Sequence, residues 1–166
     1  MIKKILIALL ALVVVLAAAV GINTARKGSR QMQVEPLAPV AVDEAAVAAR
    51  LAEAVRLKTI SSRDDANLNA DQFKAFHALL QTRFPKTHAA LKREVVGDLS
   101  LLYTWEGADP QAKPILLMAH QDVVPVAPGT EGDWAVAPFA GEVKDGFVWG
   151  RGSWDDKGNL LSQLEA

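Results

Sequence analysis

Pro114-Ile115-Leu116-Leu117-Met118-Ala119-His120-Gln121-Asp122 is a short apolar run that ends abruptly in an imidazole and a carboxylate. The length of residues 114–119 and their lack of polar alternation suit a β-strand buried on both faces. Helical patterns upstream of such a strand predict an α/β layer architecture. His120 then stands just past the C-terminal end of the strand, the edge where α/β sheets bind ligands.

Upstream, Ala45 to Lys58 read as a helix capped by Asp43, with Val47, Leu51 and Val55 recurring at i+4. Residues 61–70 read as polar loop. A second helix is predicted from Asp71 to Arg83, with Phe73, Phe76 and Leu80 on one face, and Pro85 is expected to stop it. Leu91 to Val96 and Leu101 to Trp105 read as short strands around Gly97-Asp98. Downstream, Pro125, Pro128, Gly129, Gly132 and Pro138 mark a long loop over 121–140. Glu142–Lys144 and Phe147–Trp149 predict a hairpin about Asp145-Gly146. Lys157 onward has helical character.

The N-terminus differs in texture. From Ile5 to Ile22 nothing is more polar than Gly21, and 18 helical residues span about 27 Å, close to a bilayer's hydrocarbon core. A cleaved signal peptide would use Lys3 and Lys4 as its basic region and Ala17-Ala18-Ala19 as its small-residue site. A retained signal anchor is the preferred reading, because apolarity continues to Ile22. Both readings place the remainder outside the cytoplasm, periplasmic or extracellular, and cleavage would leave it secreted. Basic residues lie on both sides of the segment, so charge does not fix its orientation. The expected organisation is a membrane anchor or signal peptide at 1–22, a proline-containing stalk at 23–42, and an incomplete domain at 43–166.

Composition narrows the chemistry. The 166 residues (17.8 kDa) suffice for one ordinary domain; 51% are hydrophobic, 22% are charged, and net charge is −1. That balance argues against a disordered tail, and it offers no basic stripe for nucleic acid. The absence of Cys excludes disulfides, thiolate zinc sites and a cysteine nucleophile. A metal site must use Asp, Glu and the three His.

Two constellations meet that requirement. In His120-Gln121-Asp122, the His can present one ring nitrogen to a metal while Asp122, on the same face of an extended backbone, holds the other. The alternative is a His bonded only to loop backbone. In Gly150-Arg151-Gly152-Ser153-Trp154-Asp155-Asp156-Lys157-Gly158, adjacent carboxylates repel each other and call for a cation or a basic partner. The alternative is that Asp155 and Asp156 cap the helix that follows. His77 and His88 read as structural, one on a helix face and the other in a loop.

Taken together, these motifs and their order resemble the dizinc metallopeptidase family that includes aminoacylase, glutamate carboxypeptidase and dipeptidases. Gly132-Asp133-Trp134, Ala137-Pro138-Phe139 and the 141–149 segment add to the likeness, which covers about residues 43–166. Phe76-His77, Phe84-Pro85 and His88 are most similar to its carboxypeptidase S and N-acyl-amino-acid hydrolase subgroup. The resemblance implies the N-terminal part of a three-layer α/β/α zinc-peptidase domain. His120 would ligate one zinc, Asp122 would orient His120, and Asp155 would bridge two Zn²⁺ ions. Asp156 is a lesser candidate, and the peptide between Asp155 and Asp156 is expected to be cis. The substrate would be a peptide or an N-acyl amino acid.

The family's Glu-Glu pair, further acidic ligand, late His and dimerising lid domain have no counterpart in these 166 residues, and Glu165 comes too early to serve. Neither activity nor dimerisation is therefore expected of the chain alone. Its rivals are a non-catalytic membrane-tethered interaction protein and a Ca²⁺ or Mg²⁺ carboxylate site, the latter opposed by His120.

Overall fold

The structure, a computed structural model, describes residues 1–65 and 68–166. Ala66 and Asn67, within the predicted polar loop, lie outside the described residues. The chain divides into two units, Met1–Val40 and Ala41–Ala166.

The first unit is the helix α1 (Ile2–Arg26) followed by chain without regular secondary structure. The helix has 25 residues and buries none of them, and its most apolar window has a mean hydropathy of 3.2. It is long and apolar enough to cross a membrane.

In the second unit, α2 (Glu44–Arg56) starts where Asp43 Oδ1 accepts the amide of Ala46 at 3.0 Å, a cap worth about 1 kcal/mol. Helix α3 spans Ala70–Arg83, as the aromatic spacing predicts, and α5 spans Lys157–Glu165. The apolar stripes of these helices meet in a core of Ala54, Phe76, Leu80, Phe84 and Leu161. Full burial of side chains such as Phe76 and Leu80 contributes about 1.5–3 kcal/mol each. Arg50 ties α2 to the end of α5 through two hydrogen bonds to Glu165, at 2.5 and 2.7 Å.

Helix α3 stops at Arg83 as expected, and Pro85 then opens a new element. It occupies the first turn of a further short helix, α4 (Pro85–Ala90), a position where its missing N–H costs nothing. His88, expected in a loop, therefore lies on a helix. Its Nδ1 donates to Phe84 O at 2.8 Å, and its Nε2 lies 2.9 Å from the Tyr103 hydroxyl.

The strands of the described residues form two antiparallel ribbons of two strands each. Strands β1 (Lys92–Val96) and β2 (Ser100–Thr104) pair with Arg93 opposite Tyr103. Strands β3 (Glu142–Lys144) and β4 (Phe147–Trp149) pair around Asp145-Gly146. Both turn residues have positive φ, 53° and 80°, the primed geometry that a two-residue hairpin favours. The β3–β4 ribbon packs on α2. Arg56 fastens the turn before it by donating to Ala140 O and Gly141 O, each at 3.0 Å.

The strand expected at 114–119 is not formed. Those residues carry no regular secondary structure, and Ile115 to Met118 are 70–88% exposed. A strand needs a neighbouring backbone to satisfy its amides and carbonyls, and no strand pairs with this stretch among the described residues. Their one parallel pairing is an isolated bridge between Ile60 and Val123. The observed class is mixed helix and strand, built on helices with two peripheral ribbons.

Candidate metal centre

The Ile60–Val123 bridge positions the first half of the site. Val123 N donates to Thr59 O at 2.9 Å, and Ser61 N donates to Val123 O at 3.3 Å. The buried Thr59 adds a hydroxyl bond to Gln121 O at 2.6 Å. Residues 121–123 are thereby laced to the chain that leaves α2. Gln121 is held from the other side. His77 Nε2 on α3 lies 2.9 Å from Gln121 Oε1, and Gln121 Nε2 donates to Leu99 O. An amide oxygen only accepts, so His77 Nε2 carries the proton. Burial pushes the His77 imidazole below its ordinary value, which keeps it neutral at pH 7.

The second half comes from the corner that opens α5. Gly152 has a φ of +85°, and a Cβ there would stand 2.6 Å from Val123 Cγ1. The glycine thus permits the close approach of the 150–153 turn to the 121–123 segment. The Asp155–Asp156 peptide is cis. Lys157, the first residue of α5, is fully buried, and its Nζ donates to Ala54 O at 2.9 Å and Leu57 O at 2.6 Å. Those carbonyls belong to the C-terminal end of α2, where the helix dipole favours a cation. Its Nζ also lies 5.4 Å from the centre of the Phe76 ring.

These two supports bring His120 and Asp155 together. His120 Nε2 lies 3.0 Å from Asp155 Oδ1. His120 Nδ1 lies 3.1 Å from Asp122 Oδ1 and 3.0 Å from Asp122 O. The second oxygen of Asp122 accepts from Ser61 Oγ at 2.5 Å. Asp156 turns toward the main chain instead. Its Oδ2 accepts the amide of His120 at 2.9 Å and lies 3.3 Å from Asn159 Nδ2. Asp156 stands at the N-cap of α5 but forms no side-chain capping bond, so the capping alternative does not describe it. Burial acts to lower the His120 pKa, but hydrogen bonds to Asp155 and Asp122 O and the charges of Asp122 and Asp156 outweigh it. The net effect raises the group above 6.5.

The donors suit zinc in kind. An imidazole nitrogen whose partner nitrogen is held by a carboxylate, next to a second carboxylate, is a zinc-type set. They are few in number. Among the described residues no group of three His, Asp, Glu or Cys is gathered closely enough to hold an ion. His77 and His88 are engaged elsewhere by Gln121 and Tyr103.

Sequence patterns assign no role to Ser61, Thr59, Gln121 or Lys157. Only Lys157 carried a signal. A lysine in the first turn of a helix opposes the helix dipole, so its presence there calls for another tie.

The sequence profile of Peptidase family M20/M25/M40 matches residues 116–166, which include both His120 and Asp155. Over a longer stretch, carboxypeptidase S of Saccharomyces cerevisiae is 45% identical across 124 residues, 70% of this chain and 22% of that protein. In sequence the chain resembles M20 peptidases of the carboxypeptidase S kind. The M20 likeness extends to "Probable carboxypeptidase S-like 2" of Dictyostelium discoideum, 40% identical over 153 residues, 87% of this chain and 29% of that protein. It also extends to the N-fatty-acyl-amino acid synthase/hydrolase PM20D1 of Mus musculus, 38% identical over 127 residues, 75% of this chain and 24% of that protein. The chain thus spans between 22% and 29% of the length of these curated relatives.

Proposed function

We propose that residues 43–166 are the N-terminal part of the catalytic domain of a zinc-dependent hydrolase that cleaves peptide or N-acyl-amino-acid amide bonds. In this reading the complete domain is a three-layer α/β/α structure. Helix α1 anchors it to a membrane, with the catalytic part outside the cytoplasm. The observation that carries the proposal is the 3.0 Å approach of His120 Nε2 to Asp155 Oδ1, made by residues 35 positions apart. The named activities of the relatives, a carboxypeptidase and an N-fatty-acyl-amino acid synthase/hydrolase, support the substrate class.

His120 Nε2 and Asp155 would hold the metal, with Asp155 shared between two Zn²⁺ ions. When bound, zinc polarises a carbonyl and lowers the pKa of a coordinated water. Asp122 accepts the Nδ1 proton of His120, which fixes the tautomer and turns the Nε2 lone pair outward. Asp156 holds the main chain of His120, so both motifs move as one unit. Two protein donors fall short of the three or four that a zinc site uses, so the 166-residue chain alone binds zinc weakly and turns over no substrate.

The test is a Zn²⁺ competition titration of the purified chain in detergent, run beside assays on dipeptides and N-acyl amino acids. Zinc binding that disappears in His120→Ala, with no turnover in either protein, is the expected result. Binding that is equal in wild type and His120→Ala would overturn the metal site and favour the non-catalytic reading. Turnover abolished by His120→Ala would overturn the inactivity of the chain.

A further inference from the structure

A carboxylate beside a histidine orients it only if the carboxylate is itself held. Asp122 has one oxygen on His120 Nδ1 and the other on the Ser61 hydroxyl. A second contact on this ring nitrogen, Asp122 O at 3.0 Å, comes from the backbone. Ser61 belongs to neither motif and arrives from the segment that follows α2. Its backbone is placed by the Ile60–Val123 bridge. Removing the hydroxyl therefore leaves the backbone pairing in place and frees only the Asp122 carboxylate.

The geometry creates a competition. A neutral imidazole has one N–H to give, and His120 has a carboxylate oxygen at each nitrogen, Asp122 at 3.1 Å and Asp155 at 3.0 Å. The side chain of Asp155 is 82% exposed and that of Asp122 is 41% exposed. Unless something holds Asp122, its carboxylate competes with that of Asp155 for the ring proton, with Asp122 O a further acceptor at Nδ1.

We infer that Ser61 is a positioning residue of the His120 site: by locking Asp122, it assigns the ring proton to Nδ1 and leaves Nε2 free as an electron-pair donor. The consequence for zinc rests on the reading of His120 as a metal ligand. The proton assignment does not.

The experiment uses the full chain in detergent with ¹⁵N-labelled histidine and chelator present, at about pH 9, where an ordinary imidazole is neutral. Long-range ¹H–¹⁵N spectra report the ratio of the two tautomers of His120. Wild type and Ser61→Thr are expected to carry the proton on Nδ1. Ser61→Ala is expected to move the ratio about fivefold toward Nε2–H, the scale set by one hydrogen bond of ordinary net strength, with unchanged far-ultraviolet circular dichroism. A Zn²⁺ competition titration of the same proteins is expected to show about tenfold weaker binding in Ser61→Ala and near wild-type binding in Ser61→Thr.

An unchanged tautomer ratio in Ser61→Ala overturns the inference. So does equal zinc affinity of wild type and Ser61→Ala in a chain whose binding depends on His120. A shifted ratio in a chain whose zinc binding is indifferent to His120→Ala supports Ser61 as the positioning residue while removing the metal reading.

Discussion

Lys157→Met isolates the energetics of the corner that carries Asp155. The lysine is fully buried, and burial pushes its ammonium down from 10.5 to about 8. That fall corresponds to about 3 kcal/mol held against the folded state at pH 7. The hydrogen bonds to Ala54 O and Leu57 O work in the opposite direction, at about 1.5–3 kcal/mol each for a charged donor. Methionine keeps the apolar stem and removes both the charge and the bonds. At pH 7 the variant should therefore be less stable by about 0–3 kcal/mol.

The dependence on pH is the sharper test. Between about 8 and 10.5 the unfolded chain holds a proton that the folded chain has released, so wild-type stability rises with pH across this window and levels off above it. The variant lacks the group and gains nothing, and the gap between the two proteins widens by about 3 kcal/mol. Other titrating groups cancel in the difference. Urea unfolding in chelator, followed by tryptophan fluorescence, reads the right unit, because all four Trp (residues 105, 134, 149 and 154) lie in Ala41–Ala166. A gap that is equal at pH 7 and pH 10 would refute the desolvated ammonium.

In the metal-free chain, His120 is expected to titrate above 6.5 by NMR, and Asp155→Asn to bring it down. The raised value favours the folded state below the unfolded pKa, and that contribution fades as pH rises through the folded value; an unmoved value in Asp155→Asn counts against the contact. A double-mutant cycle on Arg50 and Glu165 should return a coupling of about 1 kcal/mol, above the usual exposed pair because it is bidentate and mostly buried; a coupling near zero contradicts this. Gly141→Ala places a Cβ 2.2 Å from Ala52 O at a φ of +56° and should lower stability by more than about 2 kcal/mol in urea unfolding. Gly146→Ala, at a φ of +80° with no atom near, should cost only about 1 kcal/mol of backbone strain in the same measurement.

Local patterns were legible where the physics is local. The i+4 spacing of Val47, Leu51 and Val55 marked α2, and Asp145-Gly146 marked the hairpin, because dihedral preference and amphipathicity are properties of short stretches. The approach of His120 to Asp155 was anticipated only through a family resemblance; neither motif alone distinguishes a ligand from a capping residue. Pro85 marked the end of α3 but gave no sign of α4, because a residue that ends one helix also suits the first turn of the next. The 114–119 stretch misled for a different reason: apolar continuity reports what a segment would bury, and strand formation needs a partner backbone. Ser61 and Lys157 act through single atoms on distant residues, Asp122, Ala54 and Leu57, and no periodicity records such contacts.

The bare run from Ile115 to Met118 has a practical consequence. Four large apolar side chains on a backbone that has no strand partner among the described residues form a sticky edge, the kind that recruits identical edges from neighbouring molecules. Concentrated solutions of this polypeptide should therefore self-associate through intermolecular β-pairing, and a lysine at Leu116 or Leu117 should keep them dispersed.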